Sequence, residues 1–547
     1  MLVATLNRQP ATNNEELTTK KMNKATFWGG VGVVAVVFLF RIHAIRFNEE
    51  IMVDESMFLA DAMRANATSY VPWHRYDTIT SGPLNTIPLA LLLKAGVPAN
   101  YHFLHTFAAA VTAASFLLVL LLAGRLAGPG MGAAVGFGGA TLFALQTAPD
   151  FSHYSSGLIP FLLLAGGWAV GLRRTPEGEC VPVAGRVFWS ALLFALAPLA
   201  KSQAAVPGLA CWLGLAGWIG WQSVRDGKGP AWGAWMRMVA GGALPPLVTL
   251  AAVGMAGALP YVIGSFSALS GYAGRQDSVV IIKDVSWLIL NSESRFLFAA
   301  LGAAALGLLV AGRGVSHPKG SWMAVGVMAA WLGSALLAAS LPQTMAGIYQ
   351  VFLYGPALLA LAAWARWAGV ESRAAGLVAV AFLAAAGAML GPALKRNFAK
   401  GQPPPTALPM EAENRTTAVL RRRGAPGQWL FVWGWAPSIY VHTGMIPAAR
   451  FSFAQPATRR YCEGPVFRDA LMADLREHPP EFIVDAMQSG FGMNTLGTYI
   501  GFYDASRDLT AQEFYPELVQ MGYQWCEDVS LPDGSSAKIY QRNADAK

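Results

Sequence analysis

Apolar residues in this chain come in runs of about 20, the length that crosses a bilayer core, and short polar connections separate them until the pattern changes near residue 400. The runs predict spanning helices at 27–45, 102–124, 131–149, 157–172, 187–200, 204–222, 237–256, 296–312, 321–341, 350–367 and 374–393, about eleven in all. The 187–222 region reads either as one broken helix or as two spans meeting at Lys201. Before the first run, residues 1–26 are polar and include Lys20, Lys21 and Lys24, and no small-residue cleavage site follows the run. That combination reads as an uncleaved signal anchor behind a cytoplasmic tail.

The connections assign an orientation. With the N-terminus inside, alternate loops hold Arg125; Arg173, Arg174 and Arg186; Arg225, Lys228 and Arg237; Arg313, His317 and Lys319; then Arg366 and Arg373. All are short and basic, as cytoplasmic loops are under the positive-inside rule. The opposite set, 46–101, 149–156, 201–203, 257–295 and 342–349, is longer and mixed in charge. An odd number of spans then places the C-terminal part outside.

Two outer segments carry shorter patterns. In 46–101, Phe58, Leu59, Ala62 and Met63 make an apolar stripe with Asp61 and Arg64 opposite, and a second stripe runs through Leu84, Ile87 and Leu91. Both are too short or too amphipathic to cross, which predicts interfacial helices. The 257–295 segment, with Tyr261, Tyr272, Arg275, Gln276, Asp277, Lys283, Asp284, Glu293 and Arg295, reads as a solvated loop or a mobile substrate cover.

Beyond Pro403-Pro404-Pro405 charged residues become common. Helices are predicted at 411–423, stopped by Gly424, at 467–477 and at 509–521, with strands at 429–433 and 481–485 and two more around Asp533-Gly534. The fold class is therefore a polytopic all-α membrane domain, 27–395, followed by a small α/β domain, 396–547, on the outer face.

Composition agrees with this picture. Of 547 residues 54% are hydrophobic and 13% charged, about half the charged share of a soluble protein. The net charge of +8 resides in the short loops, so it points to membrane lipids and not to nucleic acid. Four cysteines with no CxxC spacing exclude a disulfide framework or zinc motif. Cys462 and Cys526 both fall in the outer domain, where a disulfide and two buried thiols are equally good readings.

Candidate chemistry collects at the outer ends of the spans. Asn48 to Glu55 holds Glu49, Glu50, Asp54 and Glu55, the densest carboxylate group in the membrane-embedded part. Asp54 precedes an apolar stripe, so it reads as a helix N-cap or as a carboxylate held for catalysis; Glu55 reads as a second catalytic carboxylate that assists it or as a charge that favours the helix dipole. Lys201, in Leu199-Ala200-Lys201-Ser202-Gln203, is costly at a bilayer centre, by about 2.5–3.5 kcal/mol. A turn there brings it to the boundary, either snorkelling or holding a phosphate with Gln203 beside it. Asp150 and His153 lie in the 149–156 connection, either as polar loop residues capping the next helix or as site residues, Asp150 a candidate partner of Asp54 around a divalent cation, Mg or Mn, and His153 a candidate contact to phosphate or sugar. Tyr349 and Gln350 face outward before the next span, as an aromatic belt also would.

Taken together, these motifs resemble the GT-C superfamily of membrane glycosyltransferases, near the protein mannosyltransferase and aminoarabinose-transferase branch. The resemblance rests on Val53-Asp54-Glu55 with Phe58-Leu59-Ala60, on Ser81-Gly82-Pro83-Leu84, and on His153-Tyr154-Ser155-Ser156. It continues in Lys201-x-Gln203, in Tyr349-Gln350 before a helix containing Pro356, in the stretch from Val432 to Tyr440, and in Pro447-Ala448-Ala449-Arg450-Phe451. It implies a polyprenyl-phosphate-linked sugar donor, an unspecified glycan, lipid or protein acceptor, and transfer on the non-cytoplasmic side of a bacterial inner membrane. Asp54 would be the general base and Lys201 would hold the leaving phosphate. One departure concerns the metal: Ser152 stands where a second acid of a DxD motif belongs. The rival class is a secondary transporter or lipid-linked-glycan flippase, which places charges at the midplane and repeats its halves; here charges gather at one face and no repeat is found. A non-catalytic glycan-binding scaffold is the third reading.

Overall fold

The structure, a computed structural model, describes residues 13–543 except 77–80, 177, 228, 230, 274–277, 313–320, 341–346, 370, 399–410, 435, 453–464, 487–516 and 531–535. A helix forms at every one of the segments predicted to span. They are α1 (Asn13–Arg46), α4 (Tyr101–Ala127), α5 (Pro129–Leu145), α6 (Leu158–Gly171), α7 (Val187–Ala200), α8 (Ala205–Arg225), α9 (Trp232–Met255), α12 (Arg295–Ala311), α13 (Ser321–Ser340), α14 (Gly347–Trp367) and α15 (Glu371–Phe398). Among the described residues six helices are long and apolar enough to cross a membrane, or seven when a bent pair is counted as one span. The helices at Pro129–Leu145, Leu158–Gly171 and Val187–Ala200 are shorter than that.

Sequence features set the helix ends. Asn100 caps α4 by accepting a bond from the Phe103 N–H at 2.9 Å, and Gly128, at φ 90°, makes the single-residue turn to Pro129 at the start of α5. Outward-facing side chains such as Phe27, Trp28, Val248, Leu306 and Leu383 are exposed, a surface suited to lipid rather than water.

Between α1 and α4 lie α2 (Val53–Ala67) and α3 (Ile87–Lys94). The apolar stripe of α2 packs on the bundle through Phe58, Leu59, Ala62 and Ala65. The expectation that its polar side faces water does not hold. Asp61 and Arg64 are both buried, because the C-terminal sheet domain packs on that side and Ala60 belongs to its core. Only α3 keeps an open face, with Leu91 54% exposed. The loop expected over 257–295 is also replaced: α10 (Leu259–Ala273) and α11 (Ser278–Leu290) form there, and the end of α11 bends by 82° into α12.

A short antiparallel pair, β1 (Leu172–Arg174) and β2 (Cys180–Pro182), lies between α6 and α7. The C-terminal domain, called the outer domain after the side the loop charges predict for it, contains α16 (Glu411–Arg423), α17 (Ser438–Thr443) and α18 (Pro465–Glu477). Its sheet runs β4 (Ile446–Pro447), β3 (Trp429–Trp433), β5 (Phe482–Asp485), β7 (Ser536–Arg542), β6 (Tyr523–Ser530). The first three are parallel and the last two antiparallel. A strand alternates its side chains between faces, so Phe431 and Trp433 join Phe451, Phe467 and Leu475 with Tyr261 of α10. Leu430 and Val432 join Leu420, Ile439 and Tyr440 on the other face. Strands and helices match expectation at 411–423, 429–433, 467–477, 481–485 and both sides of Asp533-Gly534, whereas α17 and β4 went unpredicted. The triple proline, Cys462 and most of 509–521 lie outside the described residues, so the pairing of Cys462 with Cys526 is not addressed.

The outer domain is fastened to α2 by ions. Arg64, fully buried, donates to the Pro447 carbonyl and approaches Asp474 at 3.7 Å. Arg450 binds the same carboxylate with Nε at 2.9 Å and a second nitrogen at 2.8 Å. Another Arg450 nitrogen donates to the Trp73 carbonyl at 3.3 Å, and Trp73 holds a left-handed φ of 58°. Two guanidiniums thus share one carboxylate of α18 where the domains meet.

Candidate active site

The first turn of α2 is built by Glu55. Its carboxylate accepts the Ile51 N–H at 2.9 Å, the Tyr154 N–H at 3.1 Å and His105 Nε2 of α4 at 3.0 Å. Burial by itself pushes the Glu55 pKa up, but the charge and hydrogen bond of His105, the charge of His153 and the Ile51 N–H outweigh it and hold the pKa below the usual carboxylate range. Every strong partner of Glu55 is structural. It ties α2, α4 and the 149–156 connection together.

Asp54 is one residue away and different. The capping alternative fails, because α2 starts at Val53 with Met52 in the cap position and no side-chain cap. Asp54 sits in the first turn, half-buried, where the helix dipole favours its negative charge. Among the described residues it makes no side-chain hydrogen bond or ion pair. Its charge acts on Lys201.

Lys201 lies at the junction of α7 with a short turn at Ser202–Ala204 and is 1% exposed. Its Nζ donates to Ser156 Oγ and stands 4.5 Å above the Tyr349 ring. Burial pushes its pKa down to about 8, while the charges of Asp54 and then Asp150 work the other way. An ammonium has three donors; one is used here, and no carboxylate within ion-pair distance neutralises the group among the described residues.

A buried chain of bonds links α2 to this lysine. The Tyr154 N–H binds Glu55, while its ring meets Phe58 at 5.5 Å and Phe107 at 5.4 Å. The Tyr154 hydroxyl donates to the Asn85 carbonyl at 3.0 Å, and the Asn85 amide donates to the Ala200 carbonyl, next to Lys201. Gly82 completes the joint: its N–H donates to the same carbonyl at 2.8 Å. A Cβ on Gly82 would lie 2.0 Å from the Leu199 carbonyl oxygen. Backbone meets backbone there, so a side chain cannot be accommodated by rotation. Gly82→Ala is therefore expected to cost about 1–3 kcal/mol or more and to displace Lys201. The check is a lowered melting temperature together with weakened binding of a polyprenyl phosphate; an unchanged protein would refute the joint.

The other candidates divide. Asp150, half-buried after a turn at Pro149–Phe151, acts on Lys201. His153 is fully buried, with Nδ1 at 2.7 Å from the Pro149 carbonyl and Nε2 without a partner among the described residues. Gln203 is half-buried and accepts from Ser202 at 3.2 Å. Gln350 is turned away: its amide oxygen accepts the Ser294 N–H at 3.0 Å and the Ser294 hydroxyl at 2.9 Å, anchoring the bend before α12. The structure thus gathers Asp54, Asp150, Lys201 and Tyr349 with Ser156. Glu50, from the same carboxylate group, is buried, and burial pushes its pKa up to about 8. Glu413 of α16, which acts on it across the domain boundary, is pushed up to about 7 by burial.

His105 and Asn85 were missed from sequence; a histidine early in an apolar span was the available signal. As for a Mg or Mn ion, Asp54 and Asp150 are the nearest carboxylate donors, yet among the described residues no three His, Cys, Asp or Glu side chains gather closely enough to hold a metal.

This architecture, a helical bundle with the buried helix α2 behind its first long helix and a small C-terminal sheet domain, has a counterpart among solved structures. No family model and no curated protein matches the sequence. Among solved structures, ArnT from Cupriavidus metallidurans bound to undecaprenyl phosphate superposes with a TM-score of 0.50 at 13% identity, over 95% of this chain and 99% of that one. The Archaeoglobus fulgidus oligosaccharyltransferase in complex with Zn and sulfate gives 0.47 at 11% identity, over 93% and 72%. The same organism's AglB with an inhibitory peptide and a dolichol-phosphate gives 0.45 at 10%, over 95% and 74%. At 13% identity the likeness to ArnT is one of fold alone.

Proposed function

We propose that the protein is a membrane glycosyltransferase that moves a sugar from a polyprenyl-phosphate donor to a cell-envelope acceptor on the non-cytoplasmic side. The bilayer is a bacterial inner membrane, with the N-terminus cytoplasmic and the sheet domain outside. One observation carries the reading: Asp54 and the buried Lys201 act on each other electrostatically, while among the described residues neither side chain has an ion-pair partner. A buried cation costs stability unless an anion reaches it, and the phosphate of a lipid-linked donor is such an anion. ArnT, with the same fold, was captured with undecaprenyl phosphate, which supports this choice of donor.

In the proposed reaction the acceptor hydroxyl oxygen bonds to the sugar C1 as the bond from C1 to the phosphate oxygen breaks. The hydroxyl proton passes to Asp54, and the polyprenyl phosphate departs as an anion. Lys201 meets the charge as it develops, which is the most effective place for a fixed cation. Glu55, bound on all sides, holds the first turn of α2 so that Asp54 keeps its direction. His153 Nε2 is an unused polar atom at the same place and is suited to donor phosphate or sugar.

The test is to incubate the purified protein with a panel of polyprenyl-phosphate sugars and follow donor consumption. Turnover of one donor supports the reading; no turnover together with dissipation of a solute gradient would replace it with transport. The pH profile gives an independent check. Burial holds the Lys201 pKa in the free protein near 8, below the ordinary lysine value, so half of the molecules carry the charge at pH 8, most of them a unit below and few a unit above. kcat/KM for the donor is expected to be flat on the acid side of 8 and to fall about tenfold per pH unit above it. The same shift has an opposite consequence for stability: between the folded and unfolded pKa values the unfolded chain binds the extra proton, so stability rises with pH there. A profile that rises through pH 8 would remove Lys201 from phosphate binding.

A further inference from the structure

We propose that a groove between α6 and α7, at the end of α7 away from Lys201, binds an anionic phospholipid. Its walls are Val170 of α6 with Trp189, Leu192 and Leu193 of α7, and its mouth is Gly185 and Arg186. At about 640 Å³ it falls in the range of pockets that take small ligands, roughly 300–1,000 Å³. Arg186 immediately precedes α7 and Lys201 immediately follows it, so the helix rise of about 1.5 Å per residue puts the two positions about 20 Å apart. The groove is thus separate from the transfer site.

The chemistry of the lining selects the occupant. Trp189 is 57% exposed, and with the leucines it offers a surface for acyl chains, not for a water-soluble anion. Two guanidiniums stand at the mouth and a third lies behind the floor. Arg186 is exposed at its rim. Arg237 of α9 reaches the Ala184 carbonyl at 3.4 Å, and Arg125 of α4 lies behind the floor, donating to the Ala169 carbonyl and to that of Leu172 at 2.8 Å. Arg125 and Arg186 are close enough to act on each other. All three use backbone carbonyls or solvent, and among the described residues none is paired with a carboxylate; the nearby Glu179 is taken by Arg225 at 3.0 Å. Apolar walls below an uncompensated positive mouth match a lipid with a negative headgroup. Trp221 and Trp322, 5.7 Å apart at this end of the bundle, mark the headgroup level where tryptophans collect.

The experiment uses the full-length protein purified in neutral detergent. Retention of added phosphatidylglycerol and phosphatidylcholine is counted by native mass spectrometry, and thermal stability is followed alongside. Phosphatidylglycerol is expected to be retained in preference, and Arg186→Gln to reduce that preference about fivefold, while Arg186→Lys keeps most of it. Equal retention of the two lipids, or an undiminished preference in Arg186→Gln that remains folded by its melting temperature, would overturn the proposal. Stabilisation by inorganic phosphate to the same degree as by the lipid would also overturn it, by showing an anion site without a use for the groove. Donor turnover is scored separately, since loss of the lipid preference leaves the transfer site untouched.

Discussion

Asp54→Asn is expected to lower sugar transfer by about 10²–10⁴-fold, the contribution of a positioned general base, with little change in melting temperature. The reason lies in its surroundings. Asp54 makes no hydrogen bond or ion pair among the described residues, and the turn that carries it is held by Glu55 through Ile51, Tyr154 and His105. Asparagine keeps the shape and removes only the ability to accept a proton. The amide also takes a negative charge away from Lys201, so donor binding is expected to be kept or tightened while kcat falls. That split in the kinetics distinguishes a base from a binding residue. Full transfer by the Asn variant would move the protein to the class of glycan-binding scaffolds.

Asp474→Ala is expected to be the most destabilising change outside the bundle. The carboxylate is 1% exposed and serves Arg64, which is fully buried, and Arg450, whose side chain is 11% exposed. Removing one member of a buried ion group leaves the others as uncompensated charge, at a cost of about 3–5 kcal/mol. For a domain of this size that is a fall of roughly 10 °C in melting temperature. Proteolysis should then cut first in the outer domain, and thermal unfolding followed by intrinsic fluorescence should show an early transition. A variant that melts with the wild type would show that Arg64 and Arg450 find other partners. Asp474→Asn, which keeps hydrogen-bond acceptance without the charge, is expected to fall between the two.

What the sequence made legible follows from the physics of each signal. Apolar runs declare themselves, since the bilayer requires the same length wherever they occur, and each predicted span coincides with a helix. The turn at Lys201 was legible for the same reason, as a charge in the middle of apolar residues has few places to go. Polar faces are ambiguous by contrast. Asp61 and Arg64 look the same in sequence whether water or another domain lies opposite, and only the packing of α17 and β4 on α2 shows that they are buried. The 257–295 stretch misled because its polar residues are interleaved with apolar ones such as Val262 and Leu288, which are buried in helices.

At the site, residue type located the candidates but not their partners. Gln350 shares a motif with Tyr349, yet adjacent residues on a helix point about 100° apart, so one meets Lys201 and the other Ser294. Asp54 and Glu55 are separated by the same rotation. One is bound on every side and the other is not, a distinction that depends on His105 and Tyr154 arriving from distant parts of the chain.

The burial of α2 has a practical consequence. The bundle supplies one wall around it, through Phe58 and Leu59, and the outer domain supplies the other, through Arg64 and Ala60. The helix carrying Asp54 is therefore cast in a two-piece mould, and neither piece alone defines its position. Cutting the gene before Glu411 to obtain a minimal membrane enzyme would expose Ala60, Asp61 and Arg64 to water and leave the second half of α2 with one of its two walls. Grafting an outer domain from another member of the fold would meet the same difficulty unless it brought its own counterparts of Pro447 and Asp474. For this chain the smallest working unit is both domains together.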